Sequence, residues 1–201
     1  MSRPLILGLG GTMRAESTSE KALRVSLAAA RERGAETVTL SGADLDLPMY
    51  GLALDGRAAR LVDLMRHCDG IIVSSPAFHG GMSGLIKNAL DYAEELRGDP
   101  RVYLDGIAFG PIVCAAGWQA VGSTLATLRG VAHALRAWPT PMGVGINSLA
   151  APFGADGRAL DEGVQRQLEL VAEQVVEFAR MRRASTPVSV PRDLPRLAAG
   201  R

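Results

Sequence analysis

Short apolar runs of β-forming residues alternate with amphipathic helical stretches along almost the whole chain, and this alternation limits the fold more than any other feature. Leu5-Ile6-Leu7 is a continuous apolar strand of the kind buried on both faces. A helix is expected from Ser19 to Arg33, with Leu23, Leu27 and Ala30 on one face and Gly34 at its end. Thr37 to Leu40 reads as the second strand, and an irregular link from Ser41 to Tyr50 holds Pro48. Gly56 to His67 reads as a helix, the run Ile71-Ile72-Val73 as the third strand, and Ser83 to Leu96 as the third helix. The fourth strand spans Ile107 to Ala115, interrupted at Gly110-Pro111. A helix from Gly122 to Ala137, a fifth strand from Met142 to Ile146 and a helix from Leu160 to Arg182 complete the pattern. Five strands joined by helices call for an α/β doubly wound parallel sheet with right-handed crossovers. The expected order is 2-1-3-4-5, with a ligand crevice where strands 1 and 3 adjoin.

A chain of 201 residues suits one such domain and fits two poorly. The reading is therefore one domain over residues 1–182 and a disordered tail over 183–201, where Pro187, Pro191 and Pro195 stand among arginines and small residues. A formal charge of +1 leaves no general nucleic-acid footprint, and 4% aromatic content leaves few stacking platforms for single strands. Cys68 and Cys114 form no CxxC pair, so a metal or iron–sulfur reading lacks a ligand set. Cys114, inside an apolar run, reads as a buried filler. No run approaches the roughly 20 apolar residues that cross a bilayer, and two lone cysteines fit a reducing compartment. A soluble, cytoplasmic protein is expected.

Two loops carry the chemistry. The first follows strand 1 and runs Gly8-Leu9-Gly10-Gly11-Thr12-Met13-Arg14-Ala15-Glu16-Ser17-Thr18-Ser19. Met13 occupies the third glycine position of a dinucleotide fingerprint, and the Gly-Lys-Ser/Thr of a Walker loop is missing. Hydroxyls at Thr12, Ser17, Thr18 and Ser19, one arginine at 14 and a helix amino terminus suit a phosphate monoester. The plainer alternative is that Ser17 or Ser19 only caps the helix, with Glu20 in its first turn. The second loop, Ser74-Ser75-Pro76-Ala77-Phe78-His79-Gly80-Gly81, lies at the end of the central strand, where open α/β sheets bind ligands. Its glycines let the main chain approach a flat ligand closely. His79 reads as a hydrogen-bonding contact rather than an acid–base catalyst, and Lys87, Asn88 and Asp91 as residues that fix the following helix to the loop or to a second subunit.

Taken together, the two loops resemble those of the NADPH-dependent FMN reductases of flavodoxin-like fold, a family that includes quinone, azo-dye and chromate reductases. The resemblance covers most of Leu5 to Arg182. It implies FMN and NADPH as cofactors, with Thr12, Arg14, Ser17 and Ser19 on the flavin phosphate and Pro76, Ala77, Phe78, His79, Gly80 and Gly81 along the ring. The family more usually reads proline, glutamate, tyrosine, asparagine at the ring loop; Ala77, Phe78 and His79 depart from it. By the same resemblance a third loop, Ala115 to Gly122, closes over the flavin or the nicotinamide through Gly117 and Trp118; Trp118 in a subunit interface is the equal alternative. A homodimer or homotetramer is implied, along with hydride transfer from NADPH to FMN and on to a quinone-like acceptor, oxygen or a partner monooxygenase.

Reductases that hand reduced flavin to sulfonate monooxygenases carry a tyrosine inserted in the fourth helix. Gly122 to Ala137 has none, which favours FMN that stays bound. The competing expectations are an FMN enzyme with one dedicated biosynthetic substrate and a flavodoxin-like electron carrier. Carriers are typically acidic, and the net charge of +1 speaks against that class.

Overall fold

The computed structural model describes residues 3–150 and 152–185. In chain order the elements are β1 (Leu5–Gly10), α1 (Thr18–Glu32), β2 (Glu36–Ser41), α2 (Gly56–His67), β3 (Gly70–Phe78), β4 (Gly81–Met82) and α3 (Gly84–Asp91). They continue with β5 (Ala108–Ala115), α4 (Trp118–Ala134), β6 (Trp138–Pro139), β7 (Val144–Asn147) and α5 (Glu162–Ser185). The parallel sheet runs β2-β1-β3-β5, and β6 and β7 both pair with the outer side of β5. The doubly wound order is therefore as expected, but the strands number seven rather than five. One addition is β4, which folds back antiparallel on the end of β3.

The other addition comes from Pro111. The carbonyls of Ile107 and Phe109 accept from the N–H groups of Trp138 and Thr140, both at 2.9 Å, so odd-numbered residues of β5 address that neighbour. Pro111, the next odd residue, has no N–H to give. It falls between the pairs Phe109–Pro139 and Ile112–Val144, where the neighbouring strand is broken. The interruption expected at Gly110-Pro111 therefore lies in the partner, and β5 runs through unbroken. The single fifth strand expected over Met142–Ile146 is two short pieces.

Alternate residues of the central strands enter two separate cores. Ile6, Ile72, Ile112 and Val144 pack against Leu23 and Leu27 of α1 and Val171 and Val175 of α5. Leu7, Ile71, Val73, Phe109 and Val113 pack on the opposite face against Leu61 and Met65 of α2, Ile86 of α3 and Leu128 of α4. Burial on both faces is why β1, β3 and β5 read as continuous apolar runs rather than alternating ones. Strand β1 reaches Gly10, three residues past the expected end, because Gly8 and Gly10 lie in the ladder beside Thr39 and Ser41 of β2. A Cβ on Gly8 would stand 2.5 Å from Leu27 Cδ1. These glycines let α1 press onto the strand, which removes them from any nucleotide fingerprint.

Helix starts follow side-chain caps. Ser17 Oγ accepts from the Glu20 N–H at 3.2 Å, Asp55 Oδ1 from the Ala58 N–H at 2.8 Å, and Ser83 Oγ from the Ile86 N–H at 3.3 Å. The third helix ends at Asp91, not Leu96, and continues as a 3-10 segment, Tyr92–Leu96. Helix α4 begins at Trp118, four residues before the expected start, and ends at Ala134. Helix α5 runs to Ser185, so the first three residues assigned to a disordered tail are helical; residues 186–201 lie outside the described residues. Among the described residues no helix is long and apolar enough to cross a membrane.

Asn88 fixes a different loop from the one expected. Its Oδ1 accepts from the Tyr50 N–H at 2.8 Å and its Nδ2 donates to the Pro48 carbonyl at 2.9 Å, so it holds the 47–50 link against α3. Lys87 pairs with Asp91 on the exposed side. Asn88→Ala is expected to cost about 1–2 kcal/mol by leaving those half-buried main-chain groups unpaired, measured as a lowered urea midpoint with unchanged slope.

Candidate functional site

At the carboxyl ends of β1, β3 and β5 a pocket of about 260 Å³ opens. Its walls are Thr12, Arg14, Ser17, Thr18 and Ser19 from the first loop, Pro76, Ala77 and Phe78 from the end of β3, Cys114, Ala115 and Ala116 from the end of β5, and Ser148 after β7. Two loops far apart in the chain therefore meet because β1 and β3 are neighbours, Gly10 pairing with Ser74.

The first loop is built around its own hydrogen bonds. The Gly11 N–H donates to the Ser74 carbonyl at 2.8 Å, which extends the ladder one residue past β1. The Arg14 N–H donates to Thr12 Oγ1 at 3.1 Å, and the Ser17 N–H to the Arg14 carbonyl at 3.1 Å, which turns the chain into α1. Ser17 does cap the helix, and its Oγ lies 3.2 Å from Ser19 Oγ. The cap does not exhaust the helix end. Among the described residues the Thr18 and Ser19 N–H groups have no partner, and the exposed Arg14 guanidinium makes no hydrogen bond or ion pair. Arg24, in contrast, is held by Glu16 and by the Ala15 carbonyl.

The second segment is strand and hairpin, not an open loop. Ala77 pairs with Met82 and Phe78 with Gly81, leaving His79-Gly80 as a two-residue turn. Both have positive φ, 52° and 82°, as a type I′ hairpin requires. Histidine is one of the few non-glycine residues that enter this region with any frequency. Ser123 of α4 donates to the Gly80 carbonyl at 3.1 Å and fixes the tip. The base is held by Ser75, whose Oγ accepts from the Ser83 N–H at 3.0 Å. His79, Gly80 and Gly81 thus stand at a tethered hairpin beyond the pocket wall, and His79 is exposed.

Gly117 and Trp118 also fall outside this pocket. Gly117 is the N-cap of α4 and Trp118 its first residue, 64% exposed, lining a neighbouring cleft with Ile146 and Val164. Ala115 and Ala116, the start of the expected third loop, do line the wall; the residues not anticipated there are Cys114 and Ser148. Their common signal is a position at or just after the carboxyl end of β5 or β7. Burial pushes the Cys114 thiol up to about 12, so it stays uncharged at neutral pH and serves as an apolar wall.

Chemically, one end of the pocket offers hydroxyls, two unpaired amides at a helix amino terminus and a free guanidinium, a donor set that matches a phosphate monoester. The other end is Pro76, Phe78, Ala115 and Ala116, which suits a flat apolar ring.

The sequence profile of the NADPH-dependent FMN reductases matches residues 4–150, and so takes in the whole of this pocket. The chain belongs to that family. An NAD(P)H-dependent FMN reductase of Pseudomonas aeruginosa is 27% identical over 177 residues, 85% of this chain and 90% of that protein. An iron–sulfur flavoprotein of Methanocaldococcus jannaschii is 32% identical over 102 residues; the match takes in 46% of this chain and only 53% of that protein's length. Among solved structures, the flavoenzyme NAD(P)H:(acceptor) oxidoreductase FerB from Paracoccus denitrificans superposes with a TM-score of 0.73 at 23% identity, over 89% of this chain and 98% of FerB. That likeness establishes a shared flavodoxin-like fold. As a member of the NADPH-dependent FMN reductase family the protein is a flavin oxidoreductase whose cofactors are FMN and a nicotinamide nucleotide.

Proposed function

We propose that this pocket holds FMN, with Thr12, Arg14, Ser17 and Ser19 at the phosphate and Pro76, Ala77 and Phe78 beside the ring. In this reading the protein passes electrons from NADPH to a small quinone-like acceptor. The observation that carries it is the unpaired donor set at the α1 amino terminus, one wall away from the apolar end of β3. When bound, FMN supplies the redox chemistry, taking hydride from the nicotinamide and delivering electrons to the acceptor. The chain's own part is to bind and orient. Arg14 and the first-turn amides neutralise the phosphate, and Phe78, 55% exposed, stands at the rim with the hairpin that Ser123 ties down. His79, Gly80, Gly81, Gly117 and Trp118 do not line the wall; a second copy of the chain in a homodimer covers them in this reading. Oxygen and a partner monooxygenase are alternative electron acceptors.

The test is a titration with FMN followed by NADPH oxidation in the presence of a quinone. Yellow protein that bleaches with NADPH and recovers on quinone addition supports the proposal. If the pocket leaves one face of the ring open, donor and acceptor take turns, and parallel double-reciprocal lines are expected; intersecting lines would exclude a shared face.

A further inference from the structure

Glu20 is the third residue of α1, the position from which a glutamate commonly reaches back to the N-cap amide. Here it turns inward instead. Oε1 accepts from Ser41 Oγ at the end of β2 at 3.0 Å, while Oε2 lies over Gly10, so close that a Cβ there would stand 2.5 Å away. The residue is 7% exposed and Oε2 has no hydrogen-bond partner. A carboxylate in that position keeps one lone-pair set dry and unpaired, which favours the protonated form. Burial is also the leading cause that raises its pKa, opposed by the Ser41 hydrogen bond and Arg24 and assisted by Glu16.

The same helix turn provides Ser17, Thr18 and Ser19 to the phosphate end of the pocket. A phosphate dianion there and a charged Glu20 would draw on one positive helix end and repel each other. We propose that occupancy of the pocket by a phosphate monoester drives a proton from solvent onto Glu20, so that flavin binding is coupled to proton uptake. This rests on the FMN reading above. The charges around Glu20 are Arg24, engaged by Glu16 from the loop; Lys21, also on Glu16; Asp44, which accepts from the Ser41 N–H and pairs with Arg60; and Arg14 at the rim. None of them makes a hydrogen bond to Oε2. The proton therefore has no competing acceptor or donor at that oxygen.

The experiment is calorimetric titration with FMN in buffers of different ionisation enthalpy, between pH 5 and 8, for wild type and Glu20→Gln. FMN's own phosphate titrates in this range, so the readout is the difference between the two proteins. Wild type is expected to take up a larger fraction of a proton than Glu20→Gln, with FMN affinity falling as pH rises through the Glu20 range. The affinity ratio across that range equals tenfold for each unit by which occupancy raises the carboxyl's pKa. Ser41→Ala, which removes the hydrogen bond favouring the charged form, is expected to move the uptake window to higher pH. Riboflavin, lacking the phosphate, should show no Glu20-dependent uptake. Equal proton counts for wild type and Glu20→Gln, or equal uptake with riboflavin, overturn the coupling while leaving the FMN reading intact. Absence of FMN binding in both proteins brings down the FMN reading and the coupling with it.

Discussion

Arg14→Ala is expected to weaken FMN binding by roughly 10- to 150-fold, the loss of a charge-assisted hydrogen bond of about 1.5–3 kcal/mol. The guanidinium is exposed and makes no bond within the described protein, so removing it leaves no native partner unsatisfied. The thermal midpoint of the apo protein should therefore move by no more than an exposed surface substitution does. Three further readouts make the outcome specific. Riboflavin affinity should be unchanged, because in the proposed site only the phosphate meets the arginine. The wild-type advantage should shrink with added salt, as screening requires for an exposed ion pair. Arg14→Lys should recover only part of the loss, since a single ammonium cannot match the planar two-pronged donor. FMN fluorescence quenching measures all three. An Arg14→Ala protein that binds FMN as tightly as wild type would remove the guanidinium from the phosphate end altogether.

The proposed phosphate end is legible in the sequence because it is assembled from one contiguous segment. Thr12 to Ser19 keep their neighbours in sequence as neighbours in space, and a capped helix start is a local signal. The other end is less legible in the sequence, for two local reasons. A two-residue strand such as β4 carries too little pattern to announce a hairpin, so in sequence His79-Gly80 reads as an open loop, whereas it is a type I′ turn tied to Ser123. Helix α4 is capped by Gly117, which has no side chain to signal a start, and Gly122 inside the helix invited a later beginning. Cys114 and Ser148 reach the pocket only through the order of β5 and β7 in the sheet, which no local pattern encodes. Pro111 is the instructive case: the expected interruption of the strand at Gly110-Pro111 does not occur, because β5 runs through and the break falls in the neighbouring strand that Pro111 faces.

Gly11→Val tests how tightly the two ends of the pocket are coupled. Gly11 stands where β1 leaves the sheet, its N–H still bonded to Ser74. A Cβ there would lie 2.6 Å from Ile86 Cγ1, 2.8 Å from Ser83 Oγ and 3.1 Å from Pro76 Cδ. All three contacts are on parts that shape the site: the cap of α3, the first residue of its core face, and the proline at the pocket wall. Valine adds two more carbons to a space that cannot take one. The expected cost is about 3 kcal/mol, the upper end for overpacking, seen as a lowered midpoint in urea. Relieving strain of that size requires the start of α3 and Pro76 to move apart, and with them the Ser75–Ser83 hydrogen bond that anchors the hairpin. FMN affinity should therefore fall together with stability, and riboflavin affinity with it, because the ring wall moves as well as the phosphate loop. This separates the variant from Arg14→Ala, which spares riboflavin. If Gly11→Val is destabilised yet binds riboflavin as wild type does, the Pro76 wall is not part of the ring's seat.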